Sequence, residues 1–319
     1  MNSTISLCKI CLNVAGNTTH TAREMMFGTR DEFKYIECAK CGCLFIKDIP
    51  EDLSQYYTSG YYSMNLKRID LLKFYFGALI LRFCLPFSQL RAILSRLYNI
   101  SKFEWLLDYS FKKNLRILDV GCGVGKLLLI LRHLGFSQLT GVDPFITQDT
   151  FYRNGVSILK KELVDLKGQF DFIMLHHSFE HLPDPFSALQ ELNRLLCPGG
   201  IVLIRMPVSQ TYAWKRYGTK WAQMDAPRHL FLYSVESFKI LADKTGFKID
   251  KLRFDSSAFQ IWGSEQSAKN IALMEKLSYK VSPKKSIFSN KDIRGFGNHA
   301  RQLNDNKNGD QACFYLIKA

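Results

Sequence analysis

Three stretches of this chain hold residue types and spacings that can do chemistry. In Asp119-Val120-Gly121-Cys122-Gly123-Val124-Gly125 an apolar strand, from Arg116, runs into an acid and three alternate glycines, and a helical run from Lys126 to Leu134 follows. Glycines let the backbone turn sharply and let a ligand approach the main chain. The first-turn N–H groups of the following helix are free for an acceptor. Strand, turn and helix together make a cradle of the nucleotide-binding kind. The second stretch, Phe170 to Pro185, is an apolar strand that ends in His176-His177-Ser178-Phe179-Glu180-His181. It brings titratable groups to the carboxyl edge of a sheet, where open α/β folds bind ligands. In the third, Cys8 and Cys11 form one C-x-x-C pair and Cys38 and Cys41 another, with 26 residues between. Four thiolates so paired suit a tetrahedral Zn²⁺ site, closed and structural, with no open position for catalysis. Gly42 frees the second turn; Cys43 lies outside the knuckle spacing, and His20 is an alternative ligand.

Asp143 closes Gly141-Val142-Asp143-Pro144, 24 residues after Asp119. An acid at the end of the second strand accepts hydrogen bonds from ribose hydroxyls. A dinucleotide fingerprint does not fit, because Lys126 stands where the third glycine of G-x-G-x-x-G belongs. Further on, Asp225-Ala226-Pro227-Arg228-His229-Leu230-Phe231 follows an aromatic stretch with Trp214, Tyr217 and Trp221. Arg228 and His229 are site candidates there, since charged groups are rarely buried unpaired. Trp214 and Trp221 suit either the core or a planar acceptor.

The glycine turn with Asp143, the "FDxI…H…EHxxDP" block at 170–185, Pro198-Gly199-Gly200 and the PRHLFLYSVES segment together resemble class I S-adenosylmethionine (SAM)-dependent methyltransferases. The group resembled includes ubiquinone-pathway O-methyltransferases and glycan- or antibiotic-modifying enzymes. The resemblance covers most of residues 113–256. It implies a Rossmann-like seven-stranded sheet, mostly parallel, with the last strand antiparallel. It also implies that Asp119, Gly121, Gly123 and Gly125 cradle the methionine part of SAM. Asp143 would hold the ribose, Pro144 or Phe145 the adenine edge, and His176 and His177 would lie near the sulfonium. Lys161-Glu162-Leu163 is an adenine contact by position, although it matches the pattern poorly. Methyl transfer to a hydroxyl of high pKa needs a base. The candidates are His177, Glu180, His181 and His229. His181 leads because Glu180 beside it can orient it or raise its pKa; it can equally serve only to pin the loop. In some relatives such a Glu-His pair resembles a metal-assisted site.

These residues need elements to carry them. Strand signals fall at 116–120, 139–143, 156–159, 170–176, 200–206 and 248–255, with a last strand at 311–317. Helix signals fall near 124–134, 147–153, 185–196 and 235–245. The alternation implies a parallel sheet. Pro198-Gly199-Gly200 reads as a turn into the fifth strand, and Asp184-Pro185 and Ser234 as helix starts. The organisation expected is a four-cysteine module over 1–50, a helical cap over 51–112 and a methyltransferase domain over 113–319. The last contains a basic, loop-rich insertion over 257–310.

A chain of 319 residues, 47% apolar, can bury a large core. Its start lacks a signal-peptide pattern, so the nine cysteines are expected as thiols or metal ligands in the cytoplasm. The net charge of +14 favours anionic partners such as nucleic acid, lipid headgroups or phosphorylated sugars. Residues 66–102 carry seven basic residues against Asp70 alone, with apolar residues at helical spacing. They read as two amphipathic helices, either packed as a cap or docked peripherally on a membrane. The favoured acceptor is a hydroxyl of a small or carrier-linked molecule such as a sugar or glycan precursor. The alternatives are an RNA methyltransferase that uses the basic surface, and a non-catalytic module on the same fold. An Asn/Asp-Pro-Pro-Tyr block, which amino-methylating nucleic-acid enzymes use on a flipped base, does not occur after the fourth strand.

Overall fold

The computed structural model describes residues 7–57, 105, 106, 108, 109 and 111–319. The amphipathic pair expected at 66–102 lies outside the described residues, as does most of the expected cap.

Eight strands form the central sheet, in the order β11-β12-β9-β8-β4-β5-β7-β6. Strands β4 (Arg116–Val120), β5 (Gln138–Val142), β7 (Ser157–Leu159), β8 (Phe170–His176) and β9 (Leu196–Pro207) pair in parallel. Strand β12 (Gln311–Lys318) inserts antiparallel between β9 and β11 (Phe247–Phe254). This is the seven-stranded sheet the resemblance implies, extended by the two-residue edge strand β6 (Thr150–Phe151). The connections diverge on either side of β4, and such a switch point opens a ligand crevice at the carboxyl ends of the strands.

Helices α1 (Lys126–His133), α2 (Pro185–Leu195) and α4 (Val235–Lys244) fall where the periodicity places them; α3 (Tyr212–Tyr217) is a short turn after β9. Asp184 caps α2 through the Ser187 N–H with Pro185 in the first turn, and Ser234 and Ser237 form a capping box on α4. The helix expected near 147–153 does not form. There β6 and β7 make a hairpin around Asn154-Gly155, closed by Tyr152 N–H to Val156 O at 2.9 Å. Asn-Gly is a strong hairpin signal and outweighs the weak helical periodicity. Pro198-Gly199-Gly200 lies inside β9 rather than ahead of it. The pairing jumps from Phe170–Leu196 to Phe172–Ile201, so 197–200 form an excursion within the strand. The insertion holds two helices, α5 (Phe259–Ala268) and α6 (Asn290–Asp305), where loops were expected. Helix α6 has a narrow apolar stripe, Ile293, Phe296, Ala300 and Leu303, but Gly295 and Gly297 and its many polar residues make the segment read as a loop.

The cysteine-bearing segment builds a second sheet, in the order β1-β2-β3-β10. Strands β1 (Thr18–Arg23), β2 (Glu32–Glu37) and β3 (Leu44–Ile46) are local; β10 (Phe231–Leu232) comes from nearly 190 residues downstream. Tyr35, Ile36 and Phe45 share one continuous apolar core with Phe179, Phe231, Tyr233 and Phe238. Among the described residues no helix is long and apolar enough to cross a membrane.

Candidate functional site

The glycine turn is held at its back by Val142 O, which accepts from the N–H of Gly121 (2.8 Å) and of Cys122 (3.2 Å). Gly121, Gly123 and Gly125 all take positive φ. A Cβ at Gly121 would stand 2.5 Å from the Ser178 Cβ, so the turn fits only glycine there. Asp143 reaches across from β5 and accepts from Gly123 N–H (2.9 Å) with one oxygen and Phe145 N–H (2.9 Å) with the other. Asp119 is buried behind the turn, and burial followed by the Asp143 charge pushes its carboxyl well above the usual range. The Phe145 ring is exposed and stacks on Tyr57, with centroids 6.3 Å apart and planes at 11°. This backbone cradle with an acid on its rim fits a nucleoside ligand such as SAM.

Ser178 joins the cradle to the histidines. Its Oγ donates to Val120 O at 2.8 Å, and two residues on the chain presents Glu180 and His181. Glu180 is fully buried, and neither of its oxygens accepts a hydrogen bond among the described residues. Burial raises its pKa, while the His177 hydrogen bond and the charges of His181, His229 and His177, present only when those rings are protonated, pull it down to about 2. His181 Nδ1 lies 2.8 Å from Arg228 O and 3.3 Å from the Tyr57 hydroxyl; His229 Nδ1 lies 2.8 Å from Gln223 O. Carbonyls only accept, so both rings carry their proton on Nδ1 and keep the Nε2 lone pair. The two rings meet edge to face at 4.9 Å, and His229 Nε2 stands 3.8 Å from both Glu180 Oε1 and Asp225 Oδ2. Burial lowers the His229 pKa to about 4, against the pull of Asp225 and Glu180, so it is neutral at neutral pH.

His177 and His176 part ways. His177, at φ +53°, sets Nε2 3.1 Å from Arg205 Nη1 and Nδ1 3.4 Å from Glu180 Oε1. Since arginine only donates, the His177 proton sits on Nδ1, toward Glu180. His176 turns away: its ring lies 4.7 Å from Trp105, and burial and then Arg205 hold its pKa well below the usual value.

Arg228 is not a surface contact for a ligand. It is fully buried and pairs with Glu24 (2.8 Å) and Asp225 (2.6 Å), donating also to Tyr56 O (3.0 Å). Trp214 and Trp221 are core residues whose indole N–H groups donate to Glu37 (3.1 Å) and Asp310 (2.8 Å). Beside His177, Asp225 and His229 opens a cavity of about 430 Å³, whose walls include Met25, Met26, Met224, Trp221 and Trp262. Sequence reasoning passed over Glu24, Met25 and Met26, as well as Arg205 and the partner role of Asp225. A buried arginine amid apolar neighbours calls for a carboxylate, but nothing local says which one.

The four cysteines converge. Cys8 and Cys41 sulfurs lie 3.6 Å apart, Cys11 and Cys38 3.5 Å apart, and all four fall within 4.8 Å of one another. A tetrahedral ion with Zn–S bonds of about 2.3 Å needs S–S separations of roughly 3.8 Å, so the set fits zinc. The hydrogen bond to Cys41, against burial, lowers the Cys8 thiol to about 5. Cys43 is buried against Leu44 O, outside the cluster, and His20 is taken by Glu37 at 2.7 Å.

A family profile described as a methyltransferase domain matches residues 90–252, just over half of the chain. The ubiquinone biosynthesis O-methyltransferase of Bordetella avium is 28% identical over 167 residues, 47% of this chain and 67% of that protein. That of Pseudomonas aeruginosa is 28% identical over 117 residues, 33% and 50% of the two chains. The demethylmenaquinone methyltransferase of Staphylococcus aureus is 28% identical over 136 residues, 37% and 56%. The chain spans about half the length of the curated relatives it matches. Among solved structures, a SAM-dependent methyltransferase from Archaeoglobus fulgidus aligns with a TM-score of 0.41 at 21% identity, covering 69% of this chain and 92% of that one. A possible histamine N-methyltransferase from Thermotoga maritima aligns with a TM-score of 0.42 at 17% identity, covering 75% and 99%.

Proposed function

Since the chain belongs to the methyltransferase-domain family, as a class I SAM-dependent methyltransferase, we propose that it methylates a hydroxyl of a small or carrier-linked acceptor, such as a sugar or glycan precursor. Asp119, Gly121, Gly123 and Gly125 would hold the methionine part of SAM, with Asp143 on the ribose and Pro144 and Phe145 by the adenine. SAM supplies an activated methyl on a sulfonium; the acceptor oxygen–carbon bond forms as the sulfur–carbon bond breaks. His229 Nε2 takes the hydroxyl proton: the residue lines the cavity, and its Nδ1 proton is engaged by Gln223 O. Glu180 and Asp225 then face the imidazolium that results, and His181 packs edge to face against it. The observation that carries this reading is the pair of histidines whose Nδ1 atoms face main-chain carbonyls, beside the buried Glu180 carboxylate and the glycine turn.

Labelled SAM offered with 3,4-dihydroxybenzoate, glucose 1-phosphate and total tRNA tests the acceptor class. Label on an oxygen of either small probe that falls at least a hundredfold in His229→Gln, with S-adenosylhomocysteine (SAH) affinity unchanged, supports the reading. Label on tRNA, or on nitrogen, refutes it.

Glu180 also favours a second reading. Its carboxylate and the lone pairs of His181 and His229 lie within 4.8 Å of one another, two nitrogens and one carboxylate around a buried point. That donor set fits a divalent cation, which would lower the pKa of an acceptor hydroxyl. Mn²⁺ titration followed by electron paramagnetic resonance decides: one bound ion, lost in Glu180→Gln, selects this reading, and free Mn²⁺ throughout removes it.

A further inference from the structure

The cysteine-bearing segment supports the histidines directly. Glu24 lies just after β1 and is fully buried. It accepts N–H groups from Met26 (3.0 Å), Phe27 (2.9 Å), Gly28 (2.7 Å) and Thr29 (3.1 Å), and the Arg228 guanidinium at 2.8 Å. Arg228 is therefore fixed from a side that carries none of the reacting groups. Its backbone carbonyl takes the Nδ1 proton of His181. Its guanidinium holds Asp225 Oδ1, which leaves Asp225 Oδ2 directed 3.8 Å from His229 Nε2. Tyr35 of β2 donates to His229 O at 2.8 Å, a second strut from the same segment. Met25 and Met26, on the turn that Glu24 closes, form part of the cavity wall.

We propose that Glu24 is a positioning residue for His181 and His229, and that the tetracysteine segment thereby belongs to the methyl-transfer site instead of serving only as a separate docking module. The proposal rests on the assignment of these histidines to proton transfer. Arg228 is buried between two carboxylates, and removing the charge of one of them leaves its cation under-compensated on that side. With Glu24 neutral, Arg228 turns toward Asp225 alone, and its carbonyl and Asp225 Oδ2 leave their places against the two rings.

Long-range ¹⁵N–¹H correlation spectra of the imidazoles test this without any acceptor. In the wild-type full chain, His181 and His229 should each show the Nδ1-protonated tautomer. In Glu24→Gln, close in shape but uncharged, His181 should become a tautomer mixture, and the His229 Nε2 resonance should shift as Asp225 Oδ2 leaves it while the proton stays on Nδ1 toward Gln223 O; SAH affinity should stay within threefold. Glu24→Asp, which keeps the charge, should restore the single tautomer at least in part. A His181 signal that stays Nδ1-only in a folded Glu24→Gln protein overturns the proposal, as do identical spectra for the Gln and Asp variants. If the wild-type rings already carry the proton on Nε2, the proton-transfer assignment fails first, and the two failures are told apart.

Discussion

Replacing Gly121 by alanine probes the cradle, and Gly155→Ala supplies the control. Both glycines take left-handed φ, +74° and +89°. An L-residue in that region costs roughly 1–2 kcal/mol. At Gly155 that is the whole cost, because a Cβ would meet nothing within 4 Å. At Gly121 the new Cβ would stand 2.5 Å from the Ser178 Cβ. Ser178 must then move by nearly an ångström, and its 2.8 Å bond to Val120 O breaks, for about 1 kcal/mol more. The expected destabilisation by urea unfolding is about 1–2 kcal/mol for Gly155→Ala and about 2–3 kcal/mol for Gly121→Ala. Calorimetric SAH titration should show at least a tenfold loss for Gly121→Ala, equivalent to about 1.4 kcal/mol, and no change for Gly155→Ala. Equal SAH affinity in the two variants would refute the assignment of the turn to the cofactor.

Acidification should weaken the fold on account of His229. Its folded pKa, about 4 against 6.5, means that the unfolded chain binds the extra proton, so stability is whole above pH 6.5 and falls below it. Between pH 7.5 and 5 this removes about 2 kcal/mol, with His176 adding in the same direction; Glu180, held at about 2, adds its own loss only below pH 4.5. Equal urea midpoints at pH 7.5 and 5 would contradict the burial of these rings. Cys8→Ala removes one of four converging thiolates; zinc by atomic absorption should fall from one per chain to near zero, and retention of a full equivalent would dismiss the tetracysteine site. Trp221→Phe strips the indole N–H from Asp310, a buried acid whose pKa burial has already pushed up to about 6. A loss of about 2 kcal/mol is expected, and a neutral outcome would show that water replaces the indole.

Local chemistry carried much of this structure into view. The strand–glycine–helix unit, the caps at Asp184 and Ser234 and the two cysteine knuckles each depend on residues a few positions apart, so spacing alone describes them. The elements that escaped depend on something else. Asn154-Gly155 marks a hairpin that outweighed a faint helical period. Helix α6 has its apolar stripe interrupted by Gly295 and Gly297 amid a polar segment. Glu24 and Arg228 are 204 positions apart, and no pattern in either neighbourhood names the other. In the sequence Arg228 is a site candidate because charged groups are rarely buried unpaired; the fold buries it paired with Glu24 and Asp225 instead.

The role of Glu180 shows how topology changes the meaning of a residue. Next to His181 in sequence, it looks like the group that orients that ring. In the fold both Nδ1 protons go to main-chain carbonyls, of Arg228 and of Gln223, so tautomer selection needs no carboxylate. Glu180 lies instead on the Nε2 side, 3.8 Å from His229. At an effective dielectric constant near 20, a charge pair at that distance is worth about 4 kcal/mol to a protonated imidazole. Burial works the other way and keeps His229 neutral at rest. The two effects together suit a base that waits unprotonated and is stabilised only once it has taken a proton, which favours the charge-separated transition state over the resting site. A carboxylate bonded to Nδ1 would give less, because it would raise the resting pKa and spend part of that stabilisation before the acceptor arrives.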